Sequence, residues 1–310
     1  MTRRLFLTTA GAATCLAADS RWMLGANTAI QGYGLYAAIE LIRQLQFPVI
    51  EIHTMGTPAA TPKAFPGFRF DELSAAEKGK VRSALKGFRQ VTAHLPYSGL
   101  NWLSRDAAER LKAVRTIDVA LEGAAYFGVH LAVLHPQSLP GEPWKPREPE
   151  YLDAIGRWAD RGARLGVRLA LETGFAASVA DFVNFIQRLN HANVGATIDV
   201  GHQSRYSDLS RIKPEDRSKP ASIKAYNDTT LAIIGGLGSK VFHLHVHDID
   251  PETWAEHKPL VHGFVDYPRL LAKLGEVGFR GCLVLEIGGD PDKMPGYLRD
   301  ARDKFRRWLS

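Results

Sequence analysis

Cysteine is almost absent from this chain of 310 residues, which contains only Cys15 and Cys282. Two cysteines cannot build the disulfide framework that stabilises many small secreted domains. Hydrophobic residues make up 45% of the chain, which is enough to bury a full core without such cross-links. The length suits one large α/β domain or two small ones, and the composition is ordinary for a soluble globular protein.

The sequence also lacks a concentration of positive charge. It has 39 Lys and Arg against 33 Asp and Glu, a net charge of +6, and the basic residues are scattered along the chain. DNA-binding proteins need a basic groove to neutralise phosphates, so nucleic acid is not an expected partner. This small excess of positive charge is compatible with polar, sugar-like ligands. No internal repeat or disordered tract is apparent.

The first residues contain no apolar run long enough to anchor the chain stably in a bilayer. Instead, Arg3 and Arg4 precede a hydrophobic residue and the short Ala/Thr-rich run TTAGAATCLAA. This pattern is typical of a twin-arginine signal peptide, which we predict at residues 1–18. The residues before Cys15 match a lipoprotein box poorly, so lipidation is not expected. We therefore predict a periplasmic or otherwise exported protein.

Eight apolar, β-branched segments alternate with amphipathic helical segments along the rest of the chain. We predict strands at residues 23–28, 49–53, 91–95, 131–135, 167–173, 194–199, 241–247 and 282–287. This spacing is typical of right-handed βα units in a parallel sheet. Eight such units predict a single-domain (β/α)8 TIM barrel over residues 19–310.

Residues between the strands predict particular helices and loops. One helix should start at Asp106, with Glu109 placed as in a capping box, and another should have Ser178 as its N-cap. The predicted inner face of the first helix contains Leu111, Val114, Ile117 and Leu121. A third helix should start at Asp266. Two long loops, 138–149 and 203–222, should overhang the barrel mouth, with rim aromatics Tyr97, Trp102, Trp144, Tyr206 and Trp254.

The segment VFHLHVHDID places histidines 243, 245 and 247 at every second position of one predicted strand. Successive strand side chains point to opposite faces, so the three rings share one face. Titratable rings are unfavourable against a packed layer of helices. We therefore expect them inside the barrel, with His243 as a polar core residue and His247 at the rim.

Ionisable residues fall near the C-terminal ends of six predicted strands: His94, His135, Glu172, Asp199, His245 and Glu286. In a TIM barrel these ends meet at one mouth, where active sites form. Buried carboxylates are rare unless they are paired or bound to a cation. The last four residues form a mixed oxygen and nitrogen set that suits one Mn²⁺, Zn²⁺, Co²⁺ or Mg²⁺. The sequence therefore predicts a metal site.

Six short motifs coincide with these positions: HLPY (94–97), LHP (134–136), LET (171–173), TIDVGH (197–202), HVHD (245–248) and LEI (285–287). In this order they resemble the xylose-isomerase-like TIM-barrel superfamily, which includes sugar epimerases, inosose dehydratases, hydroxypyruvate isomerases and endonuclease IV. The resemblance runs from about residue 26 to the C-terminus. It implies that Glu172, Asp199, His245 and Glu286 hold one divalent metal.

The resemblance further implies an isomerase or epimerase acting on a small carbohydrate. Glu172 and Glu286 would be the catalytic residues and would transfer a proton through an enediolate. Substrate contacts are expected from His94, His135, His202, His257, Trp102 and His247, and His202 could instead contact a second metal. No Lys or Arg lies in a motif position that would hold a phosphate. We therefore expect an unphosphorylated sugar or keto-sugar.

Three alternatives stay open. A 3-keto-sugar lyase or hydratase would use the same residues. An endonuclease IV-like phosphodiesterase is disfavoured, because the Asp expected two residues before His257 is Ala255, and the first glycine of the following turn is Val261. A non-catalytic sugar-binding barrel would have no reason to keep four charged ligands buried. The sequence is also compatible with a homo-oligomer.

Overall fold

The computed structural model describes residues 22–60, 66–136, 144–261 and 263–309. The predicted export signal at residues 1–18 lies outside these ranges, as does the first half of the predicted loop 138–149, residues 138–143. No helix within the described ranges is both long and apolar enough to cross a membrane.

Eight parallel strands form one closed barrel in sequential order, which confirms the predicted TIM barrel. The strands are β1 (Met23–Asn27), β2 (Val49–His53), β3 (Gln90–His94), β4 (Leu131–Leu134), β5 (Arg168–Glu172), β6 (Val194–Asp199), β7 (Val241–Val246) and β8 (Cys282–Leu285). The barrel closes where β8 pairs with β1, with Met23 opposite Cys282. The predicted strands differ from these only by one or two residues at their ends.

Helices follow the strands and cover the outside of the barrel. They are α1 (Leu35–Gln44), α2 (Ala75–Ala84), α3 (Ala107–Tyr126), α4 (Glu148–Leu165), α5 (Val179–Leu189), α6 (Pro220–Leu237), α7 (Tyr267–Glu276) and α8 (Met294–Leu309). In α7 the leucines at 270, 271 and 274 are buried. Burial of such apolar faces against the strands provides most of the stability of a helix in a protein.

The predicted helix starts at Asp106 and Ser178 are confirmed. The Asp106 carboxylate accepts hydrogen bonds from two backbone N–H groups in the first turn of α3. The Ser178 hydroxyl accepts one from the Asp181 N–H at the start of α5. The return bond of a capping box is not formed in α3, because the Asp106 N–H donates to the Ser104 hydroxyl, which itself donates to Glu109.

The predicted inner face of α3 is wrong at one position. Leu111 is 69% exposed, whereas Ile117 and Leu121 are buried and Val114 is partly buried. The buried face of α3 runs through Ala113, Ile117, Ala120 and Ala124. At about 100° per residue, Leu111 lies on the opposite side of the helix.

The barrel interior changes from apolar to polar along the strands. At the N-terminal end of β2, Val49 packs against Cys282 and Val284. The next two inward positions of β2 are Glu51 and His53, and both are buried. This change places polar groups beneath the mouth of the barrel.

Candidate metal centre

The four predicted metal ligands meet at the C-terminal end of the barrel. Glu172 and Asp199 end β5 and β6, His245 lies near the end of β7, and Glu286 directly follows β8. One ligand atom of each residue lies within 4.8 Å of the others. The Nδ1 atom of His245 is 2.8 Å from Glu172 Oε1, 3.0 Å from Glu286 Oε2 and 3.9 Å from Asp199 Oδ2. Four residues spread over 115 positions of sequence thus form one group.

This group has the types of ligand that a divalent cation prefers, and one of its carboxylate oxygens has no hydrogen-bond partner in the described ranges. Three carboxylates and one imidazole suit Mn²⁺, Zn²⁺, Co²⁺ or Mg²⁺. Asp199 Oδ2 is buried and accepts no hydrogen bond from any residue in the described ranges. Buried carboxylates cost several kcal/mol each unless positive charge compensates them. Glu172, Asp199, His245 and Glu286 therefore fit a metal site.

The charges of the four residues support this interpretation. Burial would lower the pKa of His245, but Glu286, Glu51 and Glu172 raise it well above its usual value. Burial would raise the pKa of Glu286, but the adjacent His245 lowers it to about 2. The pKa values of Glu172 and Asp199 are also well below normal, because nearby histidines outweigh the effect of burial. The three carboxylates are therefore ionised, which is the form that binds metals.

A cavity of about 270 Å³ lies at this group. Its lining residues are His94, Tyr97, His135, Glu172, His202, Arg205, His257 and Glu286. Four of the six predicted substrate-binding residues, the histidines at 94, 135, 202 and 257, are among them. The lining offers many hydrogen-bonding groups in a small volume, which suits a small polar ligand.

Trp102 and His247, the other two predicted substrate contacts, are not among the described residues that line this cavity. Trp102 is 5% exposed and packs edge-on against Tyr151 of α4, because burial stabilises its large apolar ring. His247 is fully buried, and its Nε2 lies 3.1 Å from Asp199 Oδ1. His247 therefore lies behind Asp199 and holds it in place.

The predicted rim aromatics are mostly buried. Of these residues, Tyr97 is the one that lines the cavity, and its ring lies against His94 and His135. The others are packed side chains: Trp102, Trp144, Tyr206 and Trp254. The Tyr206 hydroxyl, for example, accepts a hydrogen bond from the Gly174 N–H.

Glu256 and Arg205 are functional candidates that no sequence motif indicates. Glu256 lies 3.2 Å from His202 Nε2 and 2.7 Å from Arg205 Nη2. With His202 and His257, Glu256 forms a second group of possible ligand atoms within 4.8 Å of one another. The carboxylate absent at Ala255 is therefore supplied by the next residue. Neither Arg205 nor Glu256 belongs to a motif, so only their contacts identify them.

Glu51 is another functional candidate that was not predicted, although one feature of the sequence indicates it. It is a carboxylate in the middle of the apolar strand VIEIH, and buried carboxylates need partners. In the structure Glu51 is fully buried and contacts both histidines of β7, His243 and His245. His243 is accordingly a polar core residue, as predicted.

Comparisons with known proteins agree with the fold. The family described as "Xylose isomerase-like TIM barrel" matches residues 39–308. An uncharacterized protein of Methanocaldococcus jannaschii, MJ1311, is 22% identical over 288 residues, which cover 88% of this chain and 87% of that protein.

Two solved structures are similar over nearly their whole length. D-psicose 3-epimerase with D-tagatose from Clostridium cellulolyticum H10 has a TM-score of 0.68 and 16% identity, covering 93% of this chain and 99% of that one. The 3-keto-D-glucoside 4-epimerase YcjR from E. coli has a TM-score of 0.62 and 18% identity, covering 92% and 99%. At such identities the likeness is one of fold. Together with the family match, it shows that this chain belongs to the xylose isomerase-like TIM-barrel family.

Proposed function

We propose that this protein is a divalent-metal-dependent isomerase or epimerase of a small unphosphorylated sugar or keto-sugar. The observation that carries the proposal is the convergence of Glu172, Asp199, His245 and Glu286 beside a small polar cavity. Proteins of the same fold with epimerase activity on psicose and on a 3-keto-glucoside support this class of substrate.

The chemistry we propose is a proton transfer next to a carbonyl group. The bound cation supplies a Lewis acid that acidifies the adjacent C–H bond. Glu172 and Glu286 both line the cavity and flank the same nitrogen of His245, from strands that are separated by β6 and β7. One carboxylate removes the C–H proton, and the other takes up a proton from solvent and delivers it to the substrate. Delivery to the opposite face of the same carbon gives an epimer. Delivery to the neighbouring carbon, with the hydroxyl proton moving between the two oxygens, gives an isomer.

His94 supports Glu172 in this role. Its Nε2 lies 3.2 Å from Glu172 Oε2, and its Nδ1 lies 2.9 Å from the Leu95 carbonyl oxygen. Both ring nitrogens therefore face acceptors. Burial would lower the pKa of His94, but Glu172 raises it above its usual value. His94 thus donates to the carboxylate and fixes its direction at the cavity wall.

Arg205 bears on the choice between free and phosphorylated substrates. It is the arginine among the described cavity-lining residues, and its guanidinium is paired with Glu256. A pair of opposite charges attracts a phosphate dianion much less than a free arginine does. The pairing supports an uncharged sugar whose hydroxyls bind to both partners.

A 3-keto-sugar lyase or hydratase is the second candidate on the same site. It would use the same proton removal, followed by loss of a leaving group from the neighbouring carbon. Detection of an eliminated or hydrated product, in place of an isomer, separates this reaction from the first.

The group formed by His202, Glu256 and His257 favours one further candidate, an endonuclease IV-like phosphodiesterase. Enzymes of that kind use several metals to hold the attacking and leaving oxygens. Three bound metals per chain and cleavage of abasic DNA would support it. The scattered basic charge argues against it, because DNA binding requires a concentrated basic groove.

A panel of substrates in D₂O tests the proposed function. Free and phosphorylated ketoses, keto-glycosides and inososes are incubated with wild type, Glu172→Gln and Glu286→Gln, and deuterium incorporation is followed by NMR. We expect exchange next to the carbonyl with unphosphorylated members, and a loss of roughly 10²–10⁴-fold in each variant. His191→Gln is the control, because His191 pairs with Asp160 away from the cavity. Exchange with phosphorylated members alone would contradict the proposed substrate, and bound metal without any exchange would favour a sugar-binding protein.

A further inference from the structure

Glu51 is a fully buried carboxylate with partners on two other strands. Its Oε1 lies 2.9 Å from His245 Nε2, and its Oε2 lies 3.0 Å from His243 Nε2. Oε2 also accepts a hydrogen bond of 3.0 Å from the Thr92 hydroxyl of β3. All four residues are 0% exposed. A carboxylate so deeply buried is tolerated only when such hydrogen bonds compensate its lost hydration.

The contact with Glu51 determines how the His245 ring is oriented. A carboxylate can only accept hydrogen bonds, so His245 Nε2 must carry the hydrogen that points at Glu51. By the same rule the other ring nitrogen, Nδ1, carries a hydrogen that points at Glu172 and Glu286, at 2.8 Å and 3.0 Å. A cation bound between these carboxylates would take the place of that proton. An imidazole binds a metal through an unprotonated nitrogen, and the hydrogen bond of the second nitrogen selects which one that is.

We propose that Glu51 is a positioning residue that holds His245 with Nδ1 directed at the bound cation and so strengthens metal binding. The inference rests on the proposed function, because it takes His245 as a metal ligand. A carboxylate behind a ligating histidine fixes the ring and increases its basicity, and its loss typically weakens metal binding about 10–100-fold. Glu51 thereby links β2, which supplies none of the four ligands, to the metal centre.

His243 provides a matched control. It is as buried as His245 and bonds to the other oxygen of the same carboxylate. It does not belong to the group of four ligands. If Glu51 served only to satisfy buried polar groups, loss of either histidine contact would have the same consequences. A positioning role predicts that only the contact with His245 matters for the metal.

The experiment measures Co²⁺ binding by the full-length protein, using competition with a chelator and the visible d–d spectrum. The variants are Glu51→Gln, Glu51→Ala and His243→Gln, and circular dichroism checks their folding. We expect one Co²⁺ per wild-type chain and a loss of affinity of about tenfold for Glu51→Gln and nearer 100-fold for Glu51→Ala. The d–d spectrum should change in the Glu51 variants, while His243→Gln should keep the wild-type affinity and spectrum.

Several results would overturn the positioning role of Glu51. Wild-type affinity in folded Glu51→Gln and Glu51→Ala, or an equal loss in His243→Gln, would overturn the positioning role and leave the proposed function intact. A second Co²⁺ that disappears with Glu51 would also overturn it, because Glu51 would then be a ligand itself. No Co²⁺ binding by wild type would overturn both proposals. If Glu51→Ala does not fold, Glu51→Gln decides, because it preserves the size of the side chain.

Discussion

His202 is a residue whose pKa is set by burial and by the carboxylates around it. Burial would lower its pKa, but Asp199, Glu256 and Glu172 raise it to about 9. The folded protein therefore binds this proton more tightly than the unfolded chain does. The resulting stabilisation is complete below the usual value of 6.5 and is lost as the pH rises through about 9.

We therefore expect the chelator-treated protein to lose thermal stability between pH 6.5 and about 9, and His202→Gln to lose less over the same interval. The measurement is the midpoint of thermal unfolding at a series of pH values. His191→Gln serves as the control and should follow wild type. Identical slopes for His202→Gln and wild type would show that His202 is not the titrating group.

At the scale of the element, Ser178 tests how much one cap contributes to a helix of the outer layer. Its hydroxyl accepts from the Asp181 N–H at 3.1 Å, which satisfies one of the free donors of the first turn of α5. Ser178→Ala should lower the free energy of unfolding by about 1 kcal/mol. Ser83→Ala, inside α2 and exposed, should be neutral or slightly stabilising. Denaturant titration measures both, and equal effects would contradict the capping role.

At the scale of the whole molecule, we propose that residues 1–18 direct export by the twin-arginine route, which carries folded proteins. A barrel that binds a metal benefits from this route, because it can fold around the metal before export. Replacing Arg3 and Arg4 with Lys should leave the protein in the cytoplasm, and fractionation of cells measures this. Arg21→Lys lies beyond the predicted signal and should be exported normally. Unchanged fractionation of the double variant would contradict the proposal.

The sequence by itself determined the strands of this protein and the four residues of the candidate metal site. Side chains of a strand alternate between its two faces with a period of two. Apolar strands and the alternating histidines of β7 can therefore be recognised from short stretches of sequence. Glu172 and Glu286 were identified because a carboxylate inside an apolar strand needs a partner. The order of βα units then predicted which strand ends meet.

Only the tertiary structure decided which side chains support the site and which merely pack. Glu51 contacts His243 across 192 positions of sequence, and Glu256 reaches Arg205 across 51. Trp102 was predicted at the cavity but is covered by α4. Such contacts depend on barrel closure and on where the loops between elements fold back. No local period encodes them, because each results from packing between segments that are far apart in the chain.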